Sequence, residues 1–210
     1  MAKAKVAGGF QLSGKLGNTL VFVPYGDEVI VRSAPEKRKR DSWSPKQQEH
    51  RMRFRALSFF YKAYRENVVK PIWNLSATVK YTGYNLFVQA NMPAFGRYGA
   101  LTDPDLLHFS TGPVPLPQEL RVERSADDPA VVRISWSTDQ LSRQAQTNDC
   151  LMGIYYSRDG SQPFEIGATR GQGEALLPLK EWQITRQFHI HLFFRRDDRS
   201  AYSPDRCFLV

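Results

Sequence analysis

The chain has 210 residues, 41% of them hydrophobic, and a formal charge of +8. That length allows one large domain or two small ones, each with a core of its own. Two cysteines, Cys150 and Cys207, with no CxxC and no histidine-rich spacing beside them, exclude a disulfide framework or a zinc site as the organising chemistry.

No run of about 18 apolar residues reads as a membrane span, and no residue pattern calls for a cofactor. The N-terminus lacks an uninterrupted apolar stretch followed by a small-residue cleavage site, which predicts cytoplasmic synthesis without a Sec signal. The charge is uneven: residues 1–70 carry 15 Lys and Arg against 6 Asp and Glu, and the remaining 140 carry 14 against 15. This asymmetry predicts an acidic partner for the first third, whether nucleic acid, an acidic protein surface or an anionic assembly interior; the competing reading is a solvated face that serves solubility.

Residues 9–15 formally fit the first seven places of a phosphate-binding loop, GxxxxGK. The match stops at Leu16, where a hydroxyl would ligate magnesium, and the following residues are strand-like where a helix N-terminus would collect phosphates. The glycines are therefore expected in turns. Residues 18–23 and 28–33 predict a β-hairpin around Pro24, Tyr25, Gly26 and Asp27. A lone hairpin is marginal in water. Residues 1–34 consequently read as an assembly arm that completes a neighbour's sheet, with Phe10, Leu12, Leu16, Val21, Val23, Val29 and Val31 as its apolar contacts.

Residues 35–91 begin with the basic run Lys37, Arg38, Lys39 and Arg40. The run is either a phosphate-binding cluster or ordinary linker chemistry, while Trp43 reads as a hydrophobic staple before the helix that follows. Ser44 as N-cap, Pro45 at the first helical position and Gln47 at the third mark that helix start. Phe54, Leu57, Tyr61, Tyr64 and Val68 recur at the helical period and predict the buried stripe, with Lys46, Arg51, Arg55, Lys62 and Arg65 pointing elsewhere.

Pro71 ends the helix near Lys70. Residues 72–80 and 84–91 predict shorter helices that bring Trp73, Leu75, Leu86 and Phe87 against it, with Gly83 as a break or a close-contact point. Arg51, Arg53 and Arg55 join the basic run as candidate residues for an anionic partner. Residues 92–116, rich in Pro, Gly and Asp, read as a linker whose Phe95, Tyr98, Leu106, Leu107 and Phe109 lie on a surface.

From residue 117 the pattern becomes seven short strands, at 119–124, 131–137, 151–157, 164–169, 174–179, 188–195 and 206–210, which is the count of a small β-sandwich. His189 and His191 share one strand face at a spacing that suits two metal ligands. A third ligand is not evident, and alternation with Ile190 and Leu192 predicts that both point outward to solvent. Residues 195–199 read as a charged hairpin loop. No nucleophile-base-acid order and no pair of carboxylates stands out as catalytic.

This C-terminal part resembles a fibronectin type III-like domain, on its proline-rich entry PVPLPQELRVE, the tryptophan of RISW, Trp136, and Tyr155 and Tyr156 on the third strand. It departs from that pattern where Phe188 or His189 stands in place of a tyrosine. The whole chain, through LSGKLGNTLVF, VIVRSAP, SPKQQEHRMRF and TGYNLFVQAN, is similar to a bacterial family common in Bacteroidota that joins such a hairpin and helix segment to a fibronectin-like domain. The resemblance implies no activity and no catalytic residue, and it implies an association with phage or prophage-like regions.

The expected fold class is α+β in two parts: a hairpin with a helical hairpin, then an all-β sandwich over residues 117–210. The expected function is that of a non-enzymatic structural or assembly protein, with other copies of itself or a protein particle as partners. A nucleic-acid-binding protein using the basic N-terminal part is the alternative.

Overall fold

The N-terminal hairpin does not stand alone. In a computed structural model of the chain, which describes residues 2–5, 12–26, 28–35, 43–126, 128–138, 144–156 and 162–210, the strands β3 (Leu20–Tyr25) and β4 (Glu28–Ser33) form its two arms. The chain's own first residues flank them: β1 (Ala2–Lys5) pairs with β4, and β2 (Gly14–Leu16) pairs with β3, giving an antiparallel sheet in the order β1-β4-β3-β2. The expectation of a hairpin with nothing beside it is corrected accordingly. β3 runs through Pro24, which pairs with Val29 beyond the point where β2 stops. A residue without an N–H is tolerated there because that side of the strand is an edge.

The chain divides into two compact units, Met1–Ser44 and Pro45–Val210. The first is the sheet just described. The second is mixed α+β, with helices and antiparallel sheets.

Helix α1 spans Pro45–Tyr64, so the start read from Ser44 and Pro45 falls where expected. A π-helical turn over Arg65–Val69 and then Pro71 close it, and a single 3₁₀ turn, Trp73–Ser76, replaces the helix expected over residues 72–80. α2 is Gly83–Asn91, capped by the Thr82 hydroxyl, which accepts from the Asn85 N–H at 3.2 Å. Gly83 is the close-contact position its sequence context suggested. A Cβ there would meet the Asn74 side chain, the Asn74 nitrogen at 2.8 Å and the Trp73 carbonyl carbon at 2.9 Å.

Leu57, Tyr64 and Val68 are buried as predicted, but Phe54 is 41% exposed. Tyr61 is partly buried and packs against the cluster as predicted, Phe60 joins it there, and the partly buried Arg53 turns inward to donate to the Met92 carbonyl at 2.8 Å.

All seven predicted C-terminal strands form, in two sheets. β5 (Arg121–Arg124), β6 (Val131–Ser135) and β9 (Glu174–Pro178) make one, in the order β5-β6-β9. β7 (Cys150–Tyr155), β8 (Phe164–Thr169), β10 (His189–Arg195) and β11 (Arg206–Leu209) make the other, in the order β11-β10-β7-β8. A short helix, α3 (Glu181–Ile184), precedes β10.

One core cluster draws on the inner faces of both sheets, including Val132, Ile134, Leu177, Leu151, Ile190, Leu192 and Phe194. The second lies on the opposite face of the four-stranded sheet. There Met152, Ile154 and Phe193 meet Leu57, Tyr64, Trp73 and Phe87 of the helices, together with Phe95, Leu107 and Phe109.

This second cluster corrects two expectations. Residues 92–116 are not a linker between independent parts, since Ala94, Phe95, Leu107, Phe109 and Val114 are buried. The helical segment and the strands after residue 117 likewise belong to one unit. β10 is consequently covered on both faces, which is why every residue of HIHLFFR after His189 is buried, polar ones included.

Candidate interaction surfaces

The groups that resemble a catalytic set meet at the edge of the second core cluster. Asp205, whose side chain is 1% exposed, accepts from the Phe109 N–H at 3.1 Å. His191 Nδ1 lies 2.9 Å from its Oδ2, and His108 Nδ1 lies 3.3 Å from its Oδ1. Asn91, at the end of α2, clamps the same segment: its Oδ1 accepts from the His108 N–H at 2.8 Å and its amide donates to the His108 carbonyl at 2.9 Å.

Burial alone pushes the Asp205 carboxyl up. The bonds from His108 and His191 and from the Phe109 N–H outweigh it and hold the group below the usual carboxylate range. The Asp205 bond in turn raises the His108 imidazole above its ordinary value, against the opposing effect of partial burial.

These contacts correct the reading of an outward histidine face. His191 is fully buried, with its ring edge-on to Phe109 at 4.7 Å, and His189 is half-buried. The helical segment and residues 105–110 cover the side of β10 that alternation assigned to solvent.

The chemistry available at this junction is structural. The Ser110 hydroxyl donates to the Ser203 carbonyl at 2.6 Å, and the Ser203 hydroxyl accepts from the Phe194 N–H at 2.8 Å while donating to the Pro204 carbonyl. Both hydroxyls are thus committed to backbone. Cys207 donates to Asp105 Oδ1 at 3.5 Å, and His189 Nε2 lies 3.4 Å from the same oxygen. Burial, and then the Asp105 carboxylate, push the Cys207 thiol up to about 12, far from the range of a nucleophile.

A second buried ion cluster lies elsewhere in the unit. Arg170 Nε is 3.2 Å from Asp149 Oδ2, its guanidinium stacks 4.3 Å from the Phe194 ring centroid, and Trp136 Nε1 donates to the Arg170 carbonyl at 2.8 Å. The network is buried, with Arg196 Nε 3.5 Å from Asp149 Oδ1, an oxygen that makes no hydrogen bond among the described residues.

An open cleft of about 330 Å³ lies between the π-helical turn and the strands, lined by residues that include Glu66, Ile72, Glu165, Phe193 and Arg195. Arg195 belongs to β10 and not to the charged loop expected there. Its Nη2 is 2.6 Å from Glu165 Oε1 and its side chain is 7% exposed, so the cleft's most buried cation is already neutralised. Among the described residues no group of three or more His, Cys, Asp or Glu side chains is arranged to hold a metal ion. Among them, too, no helix is long and apolar enough to cross a membrane.

The remaining residues singled out from sequence fall as follows. Lys37, Arg38, Lys39, Arg40 and Phe10 lie outside the described residues. Arg51 and Arg55 share the solvent face of α1, whereas Arg53 does not join them. Gly14 and Lys15, the tail of the apparent phosphate loop, are strand residues of β2.

In the N-terminal sheet the register puts Leu16, Leu20, Phe22, Val29 and Val31 on one face and Val21, Val23 and Ile30 on the other. The apolar arm residues are thus divided between two faces. Leu12 and Leu16 are 54% and 63% exposed, and of residues 12–26, 28–35, 43 and 44 only Val29 is buried.

No protein-family model matches the chain, and no curated protein matches its sequence.

Proposed function

We propose that the protein is a non-enzymatic assembly subunit that associates through its N-terminal sheet, with a fibronectin type III-like body serving decoration or adhesion. The observation that carries this reading is the sheet itself. It presents apolar side chains on both faces, yet of residues 12–26, 28–35, 43 and 44, whose burial is described, only Val29 is closed off from solvent. A unit this small buries too little surface to be stable on its own, so apposition to a partner sheet is where Leu16, Phe22 and Val31 on one face or Val21 and Ile30 on the other gain their burial.

Seven antiparallel strands in a three-stranded and a four-stranded sheet, with one core cluster drawing on both, support the assignment of the body. A phage-like particle is the setting suggested by the family resemblance. Engagement of the hydroxyls, the thiol and Asp205 in structural bonds supports a role without catalysis.

The test is the native mass of nuclease-treated protein by light scattering, against the 24.1 kDa of one chain. A defined multiple or a particle is expected for the full chain, and its loss on deleting residues 1–34. A monomer at micromolar concentration, or an assembly that survives the deletion, overturns the reading.

A further inference from the structure

The hairpin that follows β10 carries a residue its backbone does not favour. Arg199 has a φ of 60°, a conformation that glycine adopts freely and L side chains rarely do. The turn is otherwise well made: the Arg199 N–H donates to the Arg196 carbonyl at 2.9 Å, the Arg196 N–H to the Ala201 carbonyl at 2.8 Å, and Asp198 Oδ1 accepts from the Ser200 N–H at 2.9 Å. Glycine would suit the backbone better. A strained turn residue is a mark of function when its side chain has a site to serve.

Such a site is adjacent. Arg199 lines the cleft of about 330 Å³ beside the π-helical turn, and its guanidinium acts on the hydroxyl of Tyr202, another lining group. That volume lies at the lower end of the range for small-molecule sites. The buried Ile72, Met152 and Phe193 give the cleft an apolar floor. The π-helical turn, a widened form found often at functional sites, brings the exposed Glu66 and Asn67 to its rim.

Of the charged residues lining the cleft, Glu66, Glu165 and Arg195 are matched. Glu165 Oε1 takes Arg195 Nη2 at 2.6 Å, and Glu66 Oε2 takes Lys70 Nζ at 2.7 Å. Arg199 makes no ion pair among the described residues. Arg195 Nε, closed off from solvent, finds no acceptor among them either. Burial holds the Tyr202 hydroxyl protonated, above its ordinary range, while Arg195 and Arg199 act in the opposite direction. This end of the cleft therefore has donors to spare and one unbalanced cation.

We infer that the cleft binds a small organic acid with an apolar body, its carboxylate set against Arg199 and the Tyr202 hydroxyl and its body on Ile72, Met152 and Phe193. One unbalanced cation matches one negative charge. A phosphate group carries more, and its surplus would face Glu66 and Glu165. An ammonium group would meet carboxylates already bonded to Lys70 and Arg195.

Equilibrium dialysis of the full chain against radiolabelled octanoate tests this. Saturable binding is expected, displaced by unlabelled octanoate and by neither octylamine nor inorganic phosphate at the same concentration. Arg199→Gly should weaken binding about tenfold, the size of one charged hydrogen bond. The same variant should melt about 2 °C higher, because the turn is relieved of its strain. Arg199→Lys keeps both charge and strain, so it should bind within about threefold of the parent and melt with it. Absence of saturable octanoate binding overturns the inference, as does displacement by octylamine or phosphate as effective as that by octanoate. Unchanged binding in Arg199→Gly would take the carboxylate away from Arg199 and overturn it too. A lower melting temperature in that variant would make Arg199 a structural member of the turn, again against the inference.

Discussion

His191 and Asp205 form a sealed pair: Nδ1 lies 2.9 Å from Oδ2, with the side chains 0% and 1% exposed. The carboxylate also receives the Phe109 N–H and the His108 imidazole, so three donors from two distant segments converge on it. Asp205→Ala leaves those donors facing a void and should destabilise the protein by about 3–5 kcal/mol, the cost of breaking a buried charged network by removing one member. Urea unfolding followed by tryptophan fluorescence measures this. A loss under about 1 kcal/mol would mean that water replaces the carboxylate and the junction is not sealed.

Asp205 and His108 set a pH window. The folded Asp205 carboxyl lies below its ordinary 3.8, so its contribution is complete above that value and is lost as pH falls through the lower folded one. The folded His108 imidazole lies above its ordinary 6.5, so its contribution is complete below that value and is lost as pH rises through the higher folded one. Stability should therefore be greatest between about pH 4 and 6.5 as far as these groups decide it. His108 is partly exposed, so its limb is shallow. Melting temperatures from pH 3 to 9 test the shape, and His108→Gln should flatten the alkaline limb while leaving the acid limb in place.

Much of this unit was readable from residue patterns. The helix start follows from Ser44 and Pro45, and the seven strands follow from alternation and turn residues, which are local signals. What covers the outer face of β10 is not local. His191 meets a segment some 80 residues earlier, and alternation with Ile190 and Leu192 on one exposed face looks the same as alternation between two buried faces until the covering element is known. The inward turn of Arg53 is illegible in the sequence for a related reason. A cation at a stripe position is assigned to solvent by residue type, and only the Met92 carbonyl, 39 residues away, explains its inward turn. The apolar richness of FFR after HIHL was the one sequence signal that could have betrayed the second layer.

Cys207 should be a poor nucleophile. With its thiol pushed up to about 12, few molecules are ionised at pH 8, and even after the gain in intrinsic basicity it should react with a disulfide reagent roughly 50-fold more slowly than an ordinary thiol. The measurement uses a Cys150→Ser background so that one site reports. Asp105→Asn removes the neighbouring charge and should accelerate the reaction. Labelling of the folded parent at the rate of a free thiol would contradict the assigned hydrogen bond.

Gly112 should tolerate no side chain. Its φ of 152° is one that L-residues rarely adopt, and a Cβ there would run into the Tyr202 carbonyl oxygen, with the carbonyl carbon at 3.1 Å. Gly112→Ala should cost about 2 kcal/mol or more through displacement of the 202–205 segment that carries Asp205. Gly26→Ala, at a turn with nothing within 4 Å of the added carbon, should cost less, since only its φ of 59° is strained. Equal losses at the two positions would show that backbone preference, not the close approach to Tyr202, sets the effect.

The two-sided burial of the four-stranded sheet has a consequence for the order in which the chain is made. Phe109 waits 96 residues for the carboxylate that receives its N–H. At translation rates of about 5–20 residues per second, that interval is roughly 5–20 seconds. Met152 and Ile154 of β7 arrive partway through that interval, but Phe193 and His191 of β10 and the Asp205 carboxylate come only near its end, so Leu57, Phe87 and Phe109 lack part of their cover until the last strands are made.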